Sequence, residues 1–469
     1  MSARFLSLIS GVLLAIVAFA ASHHSGATEP QCWTAAVAAL CGVWWVLEAL
    51  PLSATALVPL VVFPAAGVLT ERQVAAAYGD PIILLFMGGF MLSKSAEHWG
   101  AHHRIAHLTL SCIGATSGRR IVLAIMLATA FISMWISNTA VALMMLPVAL
   151  AVLKRDTSGK LAVPLLLGVA YASSIGGIGT PIGTAPNGVF MGAYFRATGH
   201  TIPFEQWMLL GVPICLVMLV AAWFVLTCRM GYIPELEVHT DEAWTVSQKR
   251  VLIVFGLAAL AWITREIPFG GWGQFVNFPT KSEGDMSVAV AAALSLFLIP
   301  SGGSEQGRHL LDWDTAADIP WGILILFGGG IAISAAFESS GLSGLIGGTV
   351  QGLNNWPTIG VIAVVTVISG LLSEFTSNTA TANILMPILA GAAKANGMEP
   401  ALLMIPATIS VTMVFIMPVG TPPNAIVYAT GHVRIGHMVR AGLVLKLVSA
   451  IIVTLFCWQL LPLIVRHTG

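Results

Sequence analysis

Apolar runs long enough to cross a hydrocarbon core of about 30 Å recur from one end of this chain to the other. Inside a bilayer every backbone N–H and C=O must find its partner within the protein, so such runs fold as helices. Hydrophobic residues make up 57% of the chain and charged residues only 9%, against about a quarter charged in an ordinary soluble domain. The fold class is therefore an all-α polytopic membrane protein. Lys plus Arg number 21 and Asp plus Glu number 21, a balance that gives no sign of a nucleic-acid partner. The six cysteines (Cys32, Cys41, Cys112, Cys215, Cys228 and Cys457) are scattered without metal-ligand spacing and read as small apolar residues.

Spans are expected near 5–22, 32–50, 53–69, 81–98, 161–178, 206–228, 250–266, 284–300, 319–337, 400–416 and 441–464. The first run also has the makings of a signal peptide, with Arg4 before it and Ala18-Phe19-Ala20 at its end. Its length favours an uncleaved helix. Two further apolar segments, 120–154 and 357–394, are interrupted in the middle by Ser137-Asn138-Thr139 and Ser377-Asn378-Thr379. A straight helix would show these polar residues to lipid; a re-entrant hairpin with the triplet at its tip buries them. Arg119, Arg120, Lys154, Arg155 and Lys160 flank the first segment, whereas Lys394 alone flanks the second. The positive-inside bias then has the first hairpin enter from the cytoplasm and the second from the opposite face. Counting spans agrees, with the N-terminus and the polar loop 229–249 cytoplasmic and the C-terminus outside.

The halves repeat. Phe86, Gly88, Gly89, Glu97 and Gly100 recur as Phe327, Gly329, Gly330, Glu338 and Gly341, and Ser137 to Pro147 as Ser377 to Pro387. Thr184, Pro186 and Asn187, in a second interruption, recur as Thr421, Pro423 and Asn424. An odd number of spans separates the copies, so the units are inverted. Inverted repeats with broken helices at matching positions are the mark of a secondary transporter whose site lies where the breaks meet.

The residue types at the breaks suit an anion. Ser, Asn and Thr are preferred helix N-caps, and Pro186, Pro422 and Pro423 suit the first turn of a new half-helix. Four helix N-termini are thus expected to point inward with partial positive charge and free N–H groups. The glycines at 176, 177, 179, 183 and 420 let the unwound backbone turn, and its carbonyls can coordinate a small hard cation. No Lys, Arg or His falls within 130–148, 168–195, 372–390 or 408–430, so a dianion there needs a co-bound cation. Sodium fits, since no acidic residue is duplicated at the tips to carry a proton.

Several of these features also have plainer structural explanations. One Ser-Asn-Thr in a helix is ordinarily a packing or interhelical hydrogen-bonding feature; two in register, each followed by a Thr-x-Pro-Asn break, favour function. Glu374 has Met134 at its counterpart position and reads as a buried structural carboxylate. His98 and His102, at i and i+4, read as polar residues of an interfacial helix. The tryptophans at 33, 44, 45, 99, 356 and 458 read as interface anchors or packing. An intramembrane enzyme is disfavoured for want of HExxH or a nucleophile–base pair at membrane depth, and a channel because hairpins from opposite faces suit alternating access.

On the paired Ser-Asn-Thr triplets and the run Phe415-x-x-Pro418-Val419-Gly420-Thr421-Pro422-Pro423-Asn424-x-Ile426-Val427, the chain resembles the divalent anion/sodium symporter family, which carries dicarboxylates, citrate or sulfate. The resemblance runs nearly end to end. Ala185 departs from it, standing where the family has the first of two prolines, as does Val411-Thr412 in place of a small-Ser pair. It implies an inverted-repeat transporter of about eleven spans plus two re-entrant hairpins, a homodimer working as an elevator. Scaffold parts would fall at 1–118 and 229–356, and transport parts at 119–228 and 357–469. Carried over by position, one sodium site would use Ser133, Ser137, Asn138 and Gly183, and the other Ser373, Ser377, Asn378 and Gly420. Substrate would be held by Ser137, Asn138, Thr139, Ser377, Asn378 and Thr379, with Thr184 and Thr421 nearby. The expected activity is sodium-coupled import of C4-dicarboxylates, with an exchanger on the same fold, or a sodium-coupled sulfate or citrate carrier, as alternatives.

Overall fold

The computed structural model describes residues 3–114, 117–156, 158–231, 244–265, 271–276, 281–302, 308–349 and 355–465. Residues 232–243, most of the expected cytoplasmic loop 229–249, lie outside them. The described chain is a helical bundle. Six helices are long and apolar enough to cross a membrane by length and composition, and shorter apolar helices lie among them.

The first half opens with α1 (Ala3–His24) and α2 (Glu29–Val46). The expected third span is two pieces, α3 (Leu52–Thr55) and α4 (Val58–Ala65), with prolines at 51, 59 and 64 along it. Short α5 (Glu71–Tyr78) then leads into α6 (Pro81–His98), followed by α7 (Ala101–Ile113). The expected histidine pair is split by this break: His98 ends α6 and His102 sits in α7, with Gly100 between them at φ +66°. The first hairpin is α8 (Gly118–Ser133) and α9 (Asn138–Leu153), and the first broken helix is α10 (Ala162–Gly177) and α11 (Ala185–Thr198), before α12 (Phe204–Thr227).

The second half runs α13 (Val246–Ile263), α14 (Lys281–Leu298), α15 (Trp313–Ala317), α16 (Trp321–Ser340) and α17 (Leu342–Thr349). Its hairpin is α18 (Thr358–Ser373) and α19 (Asn378–Ala395), its broken helix α20 (Ala401–Thr412) and α21 (Pro422–Ala429), and its last helix α22 (Ile435–Val465).

Packing follows the repeat. Both arms α8 and α9 lie against α10, as α18 and α19 lie against α20, and α12 and α22 close the two groups. The second pieces cross over, α21 packing on α9 and α10 and α11 on α19 and α20. Phe86 and Phe327, repeat equivalents, meet edge to face at 4.9 Å, so a pseudo-two-fold axis passes between them. The glycines beside them allow close helix crossings: a methyl on Gly88 would lie 2.7 Å from Ala289 backbone, and one on Gly329 2.7 Å from Ala56 O.

Contacts between helix ends sort into two faces. On one, Arg119 Nη2 donates to Cys228 O at 3.4 Å, Lys94 pairs with Asp318 at 2.9 Å, Trp99 Nε1 donates to Leu310 O at 2.8 Å, and Arg4 Nε donates to Ala49 O at 3.3 Å. On the other, Arg196 pairs with Asp80 at 3.0 Å, Lys394 with Glu338 at 2.7 Å, and the Tyr194 hydroxyl donates to Glu399 at 2.9 Å. The first hairpin starts at the first face and the second ends at the other, as inversion requires.

The tryptophans divide. Trp44 and Trp45 donate to Leu8 O and Leu52 O, Trp33 packs edge-on against Phe19, and Trp356 and Trp458 are exposed.

Candidate functional site

All four interruptions open onto one cavity of about 800 Å³. Its wall includes Ser137, Asn138 and Thr139 from the first tip and Ser377, Asn378 and Thr379 from the second. Gly183 and Thr184 line it from the first break, and Gly420 and Thr421 from the second. The N-termini of α9, α11, α19 and α21 therefore converge there. The local sequence explains the convergence. Ser137 caps α9, its hydroxyl accepting from Ala140 N at 3.4 Å, and Thr421 caps α21, accepting from Asn424 N at 3.5 Å. Pro186, Pro422 and Pro423 occupy first-turn positions of their helices, where a missing N–H costs nothing. Thr184 and Ser377 are N-caps by position without a side-chain cap bond.

Ser133 and Ser373 are buried behind the tips, in the same arrangement. Ser133 Oγ lies 3.0 Å from Asn138 Oδ1 and 2.6 Å from Ser173 O, and Ser373 Oγ lies 2.7 Å from Asn378 Oδ1 and 2.5 Å from Val411 O. Each hydroxyl has one proton for two acceptors. Around Gly183 carbonyls crowd: a methyl there would lie 2.5 Å from Gly177 O and 2.9 Å from both Ser133 O and Met134 O. Gly177 O accepts from Asn187 and Met134 O from Thr180, and a cluster of carbonyl oxygens with lone pairs to spare is the chemistry of a hard-cation site.

Charge at the site holds two features beyond the sequence reading. Glu48 is the one ionisable residue in the cavity wall, exposed at its rim, and the one non-glycine residue with positive φ (+46°) among the described residues. A recess lined by Glu48 and Arg4 adjoins it, so the cavity reaches the face that carries Arg4. Lys446, outside the windows searched for basic residues, brings its ammonium to the second break. It donates to Met413 O at 2.6 Å and pairs with Glu374 at 3.1 Å. Glu374 is buried and also accepts from Phe415 N at 3.2 Å and Ile416 N at 3.0 Å, the burial and hydrogen bonding expected of it. These bonds also explain why α20 stops at Thr412 rather than near 416: the groups that would continue it are bonded to Glu374 and Lys446. A lone Lys inside an apolar run was the available signal for Lys446. Phe90, Ile323 and Leu326 are among the apolar residues of the wall, and nothing in the sequence separates them from ordinary core.

The sequence profile of the citrate transporter family matches residues 42–408. The sodium-dependent dicarboxylate transporter SdcS of Staphylococcus aureus is 36% identical over 98% of this chain and 92% of its own length. The chain belongs to the divalent anion/sodium symporter family. Solved structures bear on the fold of this family member alone. The Alcanivorax borkumensis YdaH transporter aligns with a TM-score of 0.61 at 14% identity, covering 92% of this chain and 98% of that one. Neisseria gonorrhoeae MtrF aligns with a TM-score of 0.57 at 13% identity, covering 83% of each chain. The symporter family is one of multi-pass membrane transporters, and the all-helical architecture agrees with it.

Proposed function

We propose that the chain is a sodium-coupled symporter that imports C4-dicarboxylates such as succinate, fumarate or malate across a cell membrane. The observation that carries this reading is the cavity wall: four helix N-termini and six hydroxyl or amide side chains of the two triplets, with no basic residue among them. Helix termini and amides suit carboxylates, but alone they leave a dianion under-neutralised, and the carbonyl-rich cradle at Gly183 suits the sodium that would complete the balance. Ser133, Ser137, Asn138 and Gly183 would hold one sodium, and Ser373, Ser377, Asn378 and Gly420 the other. Ser137, Asn138, Thr139, Ser377, Asn378 and Thr379 would grip the anion, beside Thr184 and Thr421.

The name of the Staphylococcus aureus relative supports both sodium and dicarboxylate. The recess lined by Arg4 adjoins the cavity, and the positive-inside bias, which puts that face in the cytoplasm, supports an inward-facing reading. In an elevator cycle, segments 119–228 and 357–469 would carry the site past segments 1–118 and 229–356 of a homodimer. Sodium-independent exchange needs a fixed cation at the site; Lys446, at the second break, is engaged by Glu374. Uptake of labelled succinate into proteoliposomes, with and without a sodium gradient and with citrate and sulfate as competitors, tests the reading. Uptake unchanged in choline would refute sodium coupling, and stronger competition by citrate or sulfate would reassign the substrate.

A further inference from the structure

Both breaks carry Asn after Thr-x-Pro, and neither Asn lines the cavity. Asn187 and Asn424 are fully buried, each folded into the unwound backbone that precedes its own half-helix. Asn187 Nδ2 donates to Gly177 O at 3.1 Å and Thr180 O at 2.8 Å. Asn424 Nδ2 donates to Val414 O at 3.4 Å and Met417 O at 3.0 Å. Each partner of the second set is the repeat equivalent of its counterpart in the first. The carboxamide orientation is fixed by these bonds, since a flip would set oxygen against two carbonyl oxygens. In both copies the remaining oxygen, Oδ1, is buried without a hydrogen-bond partner. Leaving a buried acceptor bare is costly, and here the same cost recurs at both symmetry-related positions. One of the carbonyls Asn187 holds, Gly177 O, belongs to the oxygen cradle around Gly183.

We infer that Asn187 and Asn424 are sodium-binding residues, one for each break. Each amide nitrogen fastens the loop carbonyls, and each Oδ1 is an oxygen ligand for the small monovalent cation. This rests on the sodium-coupled reading above and adds two ligands to those the family resemblance implies.

The test is sodium binding without substrate. The full-length protein is purified in detergent, and its thermal unfolding is followed against NaCl, with choline chloride holding ionic strength constant. Asn187→Ala and Asn424→Ala should each raise the sodium concentration for half-maximal protection by about 10- to 100-fold, the loss expected for one charge-assisted contact. Asn187→Asp and Asn424→Asp keep an oxygen but lose both donors. Their carboxylate would face carbonyls without relief unless sodium is bound, so their stability should depend on sodium more steeply than that of the wild type. If an alanine variant does not fold, threonine, which keeps one oxygen and one donor, takes its place in the comparison with aspartate. Wild-type sodium response in both alanine variants would overturn the inference. So would aspartate variants losing the response just as alanine does, because that pattern belongs to a residue that only fastens the loop. A wild type with no sodium response would instead sink the sodium-coupled reading itself.

Discussion

The buried pair Glu374–Lys446 allows a test that separates structural from proton-coupling roles. Glu374 is 1% exposed and accepts from two backbone N–H groups as well as from Lys446, whose side chain is 11% exposed. Removing one member of a buried pair leaves the other charge uncompensated, at a cost of about 3–5 kcal/mol. Glu374→Gln strands the ammonium and sets an amide NH₂ where an N–H needs an acceptor. Lys446→Met is the gentler change, because Glu374 keeps its bonds from Phe415 and Ile416 and loses only its cation. The double variant Glu374→Gln/Lys446→Met removes both charges together. Its cost should fall short of the sum of the single costs by about 2 kcal/mol, within the range for residues in one network.

The assay is unfolding of all four proteins in mixed micelles, paired with succinate uptake normalised to folded protein. The structural reading expects large, non-additive losses of stability and near wild-type substrate affinity in the folded fraction of Glu374→Gln. Additive stability losses would refute the coupling drawn from the geometry. Glu374→Gln that folds at wild-type stability yet fails to transport would refute the structural role, and with Asn138→Ala transporting normally beside it would replace sodium coupling with a proton relay at Glu374.

Asn138→Ala and Asn378→Ala should each weaken succinate binding about 10- to 100-fold, the loss of a hydrogen bond to a charged group, and also shift sodium dependence; radiolabelled uptake at matched expression checks both. Gly183→Ala should abolish sodium-dependent protection more completely than Gly420→Ala, because the first methyl meets three carbonyl oxygens and the second meets one, Glu374 O at 3.0 Å, beside a Val414 methyl. Glu48→Asn should raise stability by about 0.5–1 kcal/mol, since asparagine tolerates the left-handed backbone that glutamate adopts at φ +46°; unchanged unfolding would count against strain there. In a cysteine-free background, Lys154→Cys should resist membrane-impermeant thiol reagents in right-side-out vesicles while Ser25→Cys, in the turn between α1 and α2, labels readily; the reverse pattern would invert the topology.

Legibility in this chain tracks how unusual a residue is in its surroundings. The tips and breaks were readable because hydroxyls, amides and paired prolines in apolar runs have few uses other than capping half-helices, and the cavity gathers them. Phe90, Ile323 and Leu326 were unreadable for the opposite reason, being apolar residues in apolar helices. Short helices such as α5 and α17 escaped a search for span-length runs. The family resemblance implied two sodium sites at repeat-related positions, and here local chemistry departs from the pattern. Gly177 has no side chain, which leaves room for Asn138 Oδ1, and a methyl there would overlap it. Its counterpart is Val414, whose Cγ1 lies 2.5 Å from where a methyl on Gly420 would sit. Met134 offers only a backbone carbonyl to its site, whereas its counterpart Glu374 adds a carboxylate that holds the second break through Phe415, Ile416 and Lys446. The proposed first half-site is therefore an open cradle of oxygens held by neutral hydrogen bonds, and the proposed second a narrower one braced by buried charge. Cooperative sodium binding between them needs no identity of sites, only that both cations share the anion and the tips that hold it.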